Sequence, residues 1–518
     1  MLVKDMLIRN ATKFPEKNAI IFQNQSITYK DLNERVNRLS NALIANGLEK
    51  GDRLGVLVHN SYQFVELYFA ASKIGAIFCP FNNHLKAREL IEVLKYSTPK
   101  ALVFDIDFSE MVESLKTEAN FVKRYIVLQD TNLSFADNYE VLISKGSKIE
   151  PSISVSEDDV MSIFFTSGTT GKPKGVMRTH KHILANIIHG LIEFKVGYNE
   201  RVLILFPMYH ISFEDNIGRC FFLPNTMIIR REGGFDPEEV LGLISKERIT
   251  FVHVVPTMIN AFLRSQNIDK FDLSSLKTIF YAGAPMPVNM IRRALEVFNC
   301  QLFQGYGLTE SGPQTTLLRP EDHVIEGNEK QFKKLSSVGT AVVGVEVKVV
   351  DDKDNELPPG QVGEIICSGE AIMKGYWQLP EETSRKLRNG WLHTGDLGMT
   401  DEDGYLYIVD RKDDLIISGG INIYPKEVEE ILYEHPAIQE ASVIGVPDEY
   451  WGETVKAIVV LKEGSIATEE EIIKFCAERL AGYKKPKSVE FWKELPKSPQ
   501  GKILKRSIKD IIKTRTIP

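Results

Sequence analysis

The sequence predicts an α/β protein: a large N-terminal domain of parallel sheets flanked by helices, then a β-rich lobe, then a small α+β C-terminal domain. Three observations carry this. Short apolar runs alternate with helix-spaced apolar residues from Leu32 to Phe303, the rhythm of parallel strands covered by helices. After about Ser336 the pattern changes to apolar and polar residues in alternation, as in antiparallel strands. Beyond the charged run Asp410-Arg411-Lys412-Asp413-Asp414 the chain returns to a mixed helix and strand pattern rich in lysine.

Leu32, Val36, Leu39 and Leu43 recur at helical spacing, and Asn46-Gly47 supplies the stop. The run Leu54–Val58 reads as a buried strand. Phe64, Leu67, Tyr68 and Ala71 mark a second helix ending near Gly75, followed by the run Ala76–Cys79. Further strand-like runs lie at Ile163–Phe165, Val202–Leu205, Phe251–Val255, Thr278–Tyr281 and Gln301–Phe303. In the β-rich part, Val345, Val347 and Val349 alternate with polar residues. Glu364–Cys367 and Tyr405–Val409 are also strand-like, separated by Pro358-Pro359-Gly360 and Asp403-Gly404. The charged run 410–414 suits a linker. The tail then shows helices at Val428, Ile431, Leu432 and at Ile472, Ile473, Phe475, with strands at Ser442–Val446 and Ala457–Leu461.

Composition narrows the function. The chain has 43% hydrophobic and 26% charged residues, the balance of an ordinary globular protein. Its net charge of -7 argues against a nucleic-acid partner, which usually demands a basic surplus. The C-terminal stretch is nonetheless basic, with Lys484, Lys485, Lys487, Lys493, Lys497, Lys502, Lys505, Arg506, Lys509, Lys513 and Arg515. Such a face suits an anionic small molecule, or is a solvated helix surface. Cys79, Cys220, Cys300, Cys367 and Cys476 are scattered, with neither disulfide framework nor zinc spacing, and fit a reducing cytoplasm. Met1 to Glu16 lacks an apolar core of signal-peptide length, and no apolar run approaches the roughly 18 residues of a membrane span. A homodimer is compatible with the chain.

Five motifs carry chemistry. Thr166-Ser167-Gly168-Thr169-Thr170-Gly171-Lys172-Pro173-Lys174-Gly175 follows a strand-like run directly. Its glycines let backbone N–H groups approach phosphate, and Lys172 and Lys174 add charge. It is not a Walker A loop, because Pro173 stands where a Ser or Thr would meet magnesium. Taken alone, the run would also suit a flexible surface loop. Gln304-Gly305-Tyr306-Gly307-Leu308-Thr309-Glu310 places an acid beside a hydroxyl after an expected glycine turn, where Glu310 suits Mg²⁺ on a nucleotide and Thr309 a phosphate. In Trp391-Leu392-His393-Thr394-Gly395-Asp396, a carboxylate on a Thr-Gly turn can accept both hydroxyls of a ribose. The fourth motif is the run 410–414 with Ser418-Gly419-Gly420. The fifth, Pro496-Lys497-Ser498-Pro499-Gln500-Gly501-Lys502, puts a lysine on a Pro/Gly-rich loop.

In this order and spacing the five motifs resemble the adenylate-forming superfamily: acyl- and aryl-CoA synthetases, luciferases and the adenylation domains of peptide synthetases. The resemblance spans essentially the whole chain. Tyr281-Ala282-Gly283-Ala284-Pro285, Gly363-Glu364-Ile365, Gly375-Tyr376-Trp377 and Pro380-Glu381-Glu382-Thr383 support it. It implies ATP, Mg²⁺ and CoA as ligands. It implies that Thr166 to Lys174 handles the phosphates, that Gly283, Ala284, Pro285 and Tyr306 line the adenine slot, and that Thr309 meets the α-phosphate and Glu310 the metal. Asp396 would hold the ribose with Arg411 nearby, and Lys502 would serve the adenylation step. Residues 1–410 would form the large domain, with the β-rich lobe at about 336–410. Residues 411–413 would be a hinge at Asp413, and 414–518 a mobile C-terminal domain whose Gly419 and Gly420 line a pantetheine tunnel. His210, in Leu205–His210, would stand beside the substrate, and His180 would support the phosphate loop.

The motifs also choose among activities. Tyr209 and His210 stand where peptide-synthetase domains carry an aspartate for the amino group, and no carrier domain follows Lys502. Acetyl-CoA synthetases put a tryptophan where this chain has Gly307, so a larger acid is expected. Val254–Met258 and Gln304–Pro313 look most like fatty-acyl ligases. The expected activity is an AMP-forming acyl-CoA synthetase for a medium- or long-chain fatty acid. An aryl-acid ligase or a carrier-protein ligase stands as the alternative.

Overall fold

The computed structural model describes residues 1–166, 173–283, 286–325, 327–418, 421–448, 450–497 and 503–516. Contacts divide the chain into two units: residues 1–347 with 367–392, and residues 348–366 with 393–518.

The first unit is built on two large sheets. In one, the strand order is Thr340–Ala341, Gly312–Leu318, Gln301–Leu308, Thr278–Ala282, Phe251–Val254, Arg201–Ile204, Thr226–Ile229, Asn18–Phe22, Gln25–Thr28. Its middle is parallel and its margins are antiparallel. The other runs Gly375–Tyr376, Lys174–Thr179, Val160–Thr166, Ile77–Pro80, Arg53–Leu57, Ala101–Phe104, Arg124–Val127, Asp137–Asn138. Its interior strands are buried on both faces, as the continuous run Ala101–Phe104 shows, so they read as apolar runs and not as alternation. Helices Tyr29–Ala45 and Tyr62–Ile74 stand where the apolar spacing put them, and Gly75 ends the second in the left-handed region.

The second unit carries the antiparallel pairing expected of the lobe: Leu406–Arg411 lies against Trp391–Thr400. A further sheet orders Ile421–Ile423, Ile416–Ser418, Gly452–Leu461 and Ile438–Asp448, with Ser488–Phe491 parallel to Gly452–Leu461. Period-two alternation splits Gly452–Leu461 between two cores. Val455, Ala457 and Val459 pack with helices Pro425–Glu434 and Glu469–Ala477, whereas Ile458 and Val460 pack with Ile508 and Ile512 of helix Lys505–Thr516. The run 410–414 is shorter as a linker than its charge suggests. Arg411 closes a strand, Lys412–Asp414 make one 3₁₀ turn, and Ile416 opens the next strand.

Candidate active site

In the first unit the phosphate motif bridges two antiparallel strands, Val160–Thr166 and Lys174–Thr179, with Thr166 opposite Lys174. Ser167, Gly168, Thr169, Thr170, Gly171 and Lys172 lie outside the described residues. Lys174 is buried, and its Nζ donates to Glu382 Oε2 at 2.7 Å. That nitrogen also lies 5.3 Å from the centroid of the Tyr376 ring. The Tyr376 hydroxyl donates to Glu310 Oε1 at 2.8 Å, and the Met373 N–H donates to the Glu310 carbonyl at 2.8 Å. Tyr376 is itself fixed by cross-strand pairing with Val176 and by its N–H on Thr383 Oγ1 at 2.9 Å. One tyrosine therefore connects the lysine of the first motif with the acid of the second.

The second motif is not a glycine turn. Gln304-Gly305-Tyr306-Gly307-Leu308 continues the strand Gln301–Leu308, and the turn falls at Thr309-Glu310-Ser311 before the return strand Gly312–Leu318. The glycines serve close packing. A Cβ at Gly305 would stand 2.5 Å from the Phe280 ring, and one at Gly307 would stand 2.6 Å from the Gly312 carbonyl oxygen. A side chain at Gly307 would thus run into neighbouring backbone. Ser311 pins the turn: its Oγ accepts from Leu308 N–H at 2.9 Å and from Thr315 Oγ1 at 2.7 Å. Tyr306 is buried opposite Thr316, and Gly283 adopts φ 88° just past the strand Thr278–Ala282. Ala284 and Pro285 lie outside the described residues.

Two histidines of this unit are held neutral. Burial pushes His210 down to about 4, and its Nδ1 lies 3.1 Å from Ser212 Oγ. Burial likewise pushes His180 down to about 4, and its Nδ1 accepts the Val3 N–H at 3.3 Å. His180 therefore anchors the first helix, a contact away from the phosphate loop it was expected to support.

In the second unit Asp396 is buried and lies opposite Arg411 on the antiparallel pair. Arg411 Nε donates to Asp396 Oδ1 at 2.6 Å. Gly395, at φ 78°, kinks a continuous strand where a turn was expected. Thr394 Oγ1 holds the kink by donating to the Ile365 carbonyl at 2.7 Å and accepting from Asp396 N–H at 3.0 Å. Gly395 N–H donates to Glu364 Oε1 at 3.2 Å. Lys497 bridges Ile503 across the fifth motif. Gly419, Gly420 and Lys502 lie outside the described residues, and Asp413 is described only as part of the 3₁₀ turn.

Tyr376, Glu382 and Glu364 stand in the supporting segments of the sequence, where no part was expected of them, and Thr394 stands in the third motif as half of the expected Thr-Gly turn. For three of them the signal was an adjacent glycine: Tyr376 follows Gly375, Glu364 follows Gly363 and Thr394 precedes Gly395. Among the described residues no group of three or more His, Cys, Asp or Glu gathers as a metal site.

The chain belongs to the AMP-binding enzyme family: that family matches residues 7–377, and the AMP-binding enzyme C-terminal domain matches residues 427–502. It is 38% identical to a feruloyl-CoA synthase of an Amycolatopsis species, over 97% of both chains. It is also 38% identical to a long-chain-fatty-acid–CoA ligase of Bacillus subtilis, over 98% of this chain and 94% of that one. Among solved structures it matches a Mycobacterium tuberculosis fatty acyl CoA synthetase with a TM-score of 0.80 and 32% identity, over 99% of both chains.

Proposed function

We propose that this AMP-forming acid–CoA ligase uses ATP to convert a carboxylic acid to its acyl-AMP, then transfers the acyl group to coenzyme A. The observation that carries the reading is the line Lys174, Tyr376, Glu310, which joins the phosphate hairpin to the acid-bearing turn within a chain of this family from end to end.

A carboxylate is already ionised near neutral pH, so its attack on the α-phosphate needs no general base. The step needs stabilisation of the charge that develops on phosphorus and the leaving pyrophosphate. Residues 166–174 would bind the phosphates, Thr309 would orient the α-phosphate, and Lys502 would neutralise it. Glu310 fits a magnesium ion held mainly by phosphate oxygens, because one protein carboxylate is enough for that mode and its contact to Tyr376 is with a neutral phenol. Such an ion would supply electrostatic stabilisation of the phosphates. Asp396 would accept the ribose hydroxyls while Arg411 keeps it oriented. Gly283, Ala284, Pro285 and Tyr306 would line the adenine. For thioester formation, residues 411–413 would act as a hinge and Gly419 and Gly420 would admit the pantetheine arm. A cytoplasmic location belongs to the same proposal. No helix among the described residues is long and apolar enough to cross a membrane.

The test is ATP-, Mg²⁺- and CoA-dependent pyrophosphate release over a panel of free acids from acetate to C16, with benzoate, cinnamate and several amino acids. Pyrophosphate together with acyl-CoA is the expected result. An adenylate that is never passed to CoA would move the assignment to a carrier-protein ligase.

A further inference from the structure

Asn60 is 1% exposed, and its side chain is spent on the backbone of a distant part of the first unit. Its Oδ1 accepts the Met208 N–H at 2.7 Å. Its Nδ2 donates to the Phe206 carbonyl at 2.9 Å and to the Arg230 carbonyl at 3.4 Å. One amide therefore grips the chain on both sides of Pro207, which has no N–H of its own to give. A primary amide carries an acceptor and two donors, so Asn60 answers this backbone much as a neighbouring strand would.

The gripped segment leads to His210. The strand Arg201–Ile204 ends before it, and the helix Ser212–Ile217 begins after it. The Pro207 carbonyl accepts the His210 N–H at 3.0 Å, and the His210 carbonyl accepts the Phe213 N–H at 3.0 Å. By holding the chain at Pro207, Asn60 fixes where His210 is presented. Phe206 packs on His253 with ring centroids 4.6 Å apart, and His253 lies within the electrostatic reach of His210.

Asn60 reaches this segment from the other sheet. It follows the strand Arg53–Leu57, which stands two places from Val160–Thr166, the strand that enters the phosphate motif. Phe206 and Arg230 follow Arg201–Ile204 and Thr226–Ile229, which are neighbours in the nine-stranded sheet. His59 reinforces the joint. Its N–H donates at 2.6 Å to Oδ2 of Asp105, just past the strand Ala101–Phe104. Its Nδ1 lies 3.1 Å from Oε2 of Glu232, two residues beyond Arg230. Residues 59 and 60 thus tie two strand ends of one sheet to two strand ends of the other.

The tie bears on the first chemical step. The phosphates are assigned to the hairpin of one sheet, and the acid to the segment that leaves the other. Attack on the α-phosphate needs the two in register, and a misplacement of about 1 Å can cost about 10²-fold in rate. Once the acyl–phosphate bond has formed, that bond itself keeps the two halves together.

We propose that Asn60 is a positioning residue for adenylation: through the backbone at Phe206 and Met208, its amide holds the acid-side segment 206–210 in register with the phosphate hairpin. This rests on the ligase reading and on the place of His210 beside the acid.

The experiment uses the full chain and its Asn60→Ala and Asn60→Asp variants, with the best acid of the panel above. Asn60→Asp keeps an acceptor for the Met208 N–H and removes the donor to the Phe206 carbonyl. Two steps are timed separately: formation of acyl-AMP from acid and ATP, and transfer of the acyl group from supplied acyl-AMP to CoA. Asn60→Ala should slow the first step about 10²-fold and Asn60→Asp at least about tenfold. The KM for ATP and the second step should stay within about threefold of the unaltered chain, which a general loosening of the fold would not allow. A first step slowed less than about tenfold in both variants would overturn the proposal. So would equal damage to both steps, or a KM for ATP that rises as far as the first step slows. If Asn60→Ala does not fold, Asn60→Asp decides by the same measures; if neither folds, Asn60 supports the fold as a whole and the proposal falls. No acyl-AMP from the unaltered chain with any acid would overturn the ligase reading and this proposal with it, whereas an active unaltered chain with unselective variants would overturn this proposal alone.

Discussion

Glu310 in the first unit and Asp396 in the second are the two carboxylates assigned to the nucleotide, and they are held in different ways. Glu310 receives a phenol hydroxyl from Tyr376, a neutral partner that leaves its charge uncompensated. Asp396 is buried and already paired with the Arg411 guanidinium. A carboxylate with a neutral partner keeps its attraction for a cation, whereas one that is already paired offers oriented acceptors to neutral hydroxyls. The contrast separates a group suited to metal-bound phosphates from a group suited to a sugar.

The largest effect should come from Lys502→Ala. Loss of one group that stabilises developing charge costs about 10²–10³ in rate, so adenylation should nearly vanish while thioester formation from supplied acyl-AMP persists. Equal loss of both steps would sink the role given to Lys502. Asp396→Ala should come next. Hydrogen bonds to a charged group are each worth about 1.5–3 kcal/mol, so the KM for ATP should rise by about one to two orders of magnitude. An unchanged KM would erase the contrast between the two carboxylates.

Tyr376→Phe should be milder. It removes one hydrogen bond worth about 1 kcal/mol, and the expected result is a several-fold shift in the Mg²⁺ concentration needed for half activity. A lower kcat on an unmoved Mg²⁺ curve would show that Tyr376 serves something other than Glu310. An effect of a different kind, on stability and not on turnover, is a pH dependence. His180 and His210 sit at about 4 in the folded chain, below an ordinary value near ~6.5. The unfolded chain therefore takes up protons first, and stability falls as pH drops from about 6.5 toward 4, by up to about 1.4 kcal/mol per pH unit for each histidine. Urea unfolding should show a flatter slope in His180→Gln, and an identical slope would refute the buried, neutral state.

Buried parallel strands were legible because burial on both faces writes a plain apolar run, as at Phe251–Val254 and Thr278–Ala282. Asn18–Phe22 and Thr226–Ile229 were not picked out, though they pair in the same sheet. Their apolar stretches, Ala19–Phe22 and Met227–Ile229, are as long as others read as strands, but no helix pattern beside them was recognised to set the strand–helix rhythm. The glycines of Gln304–Leu308 were misread as a turn for a related reason. A glycine required by an approaching Phe280 ring or by the Gly312 carbonyl looks the same in one dimension as a glycine required by a positive φ.

The sequence by itself determined the layered α/β architecture, the five motifs and the family they resemble, because strand and helix periodicity and phosphate chemistry act over a few neighbouring residues. Only the tertiary structure decided that Tyr376 spans Lys174 and Glu310, that Arg411 pairs with Asp396, and that Gln314 and Asn186 are buried. Those facts depend on strands and helices distant in sequence being packed together, and burial and hydrogen-bond satisfaction exist only once they are.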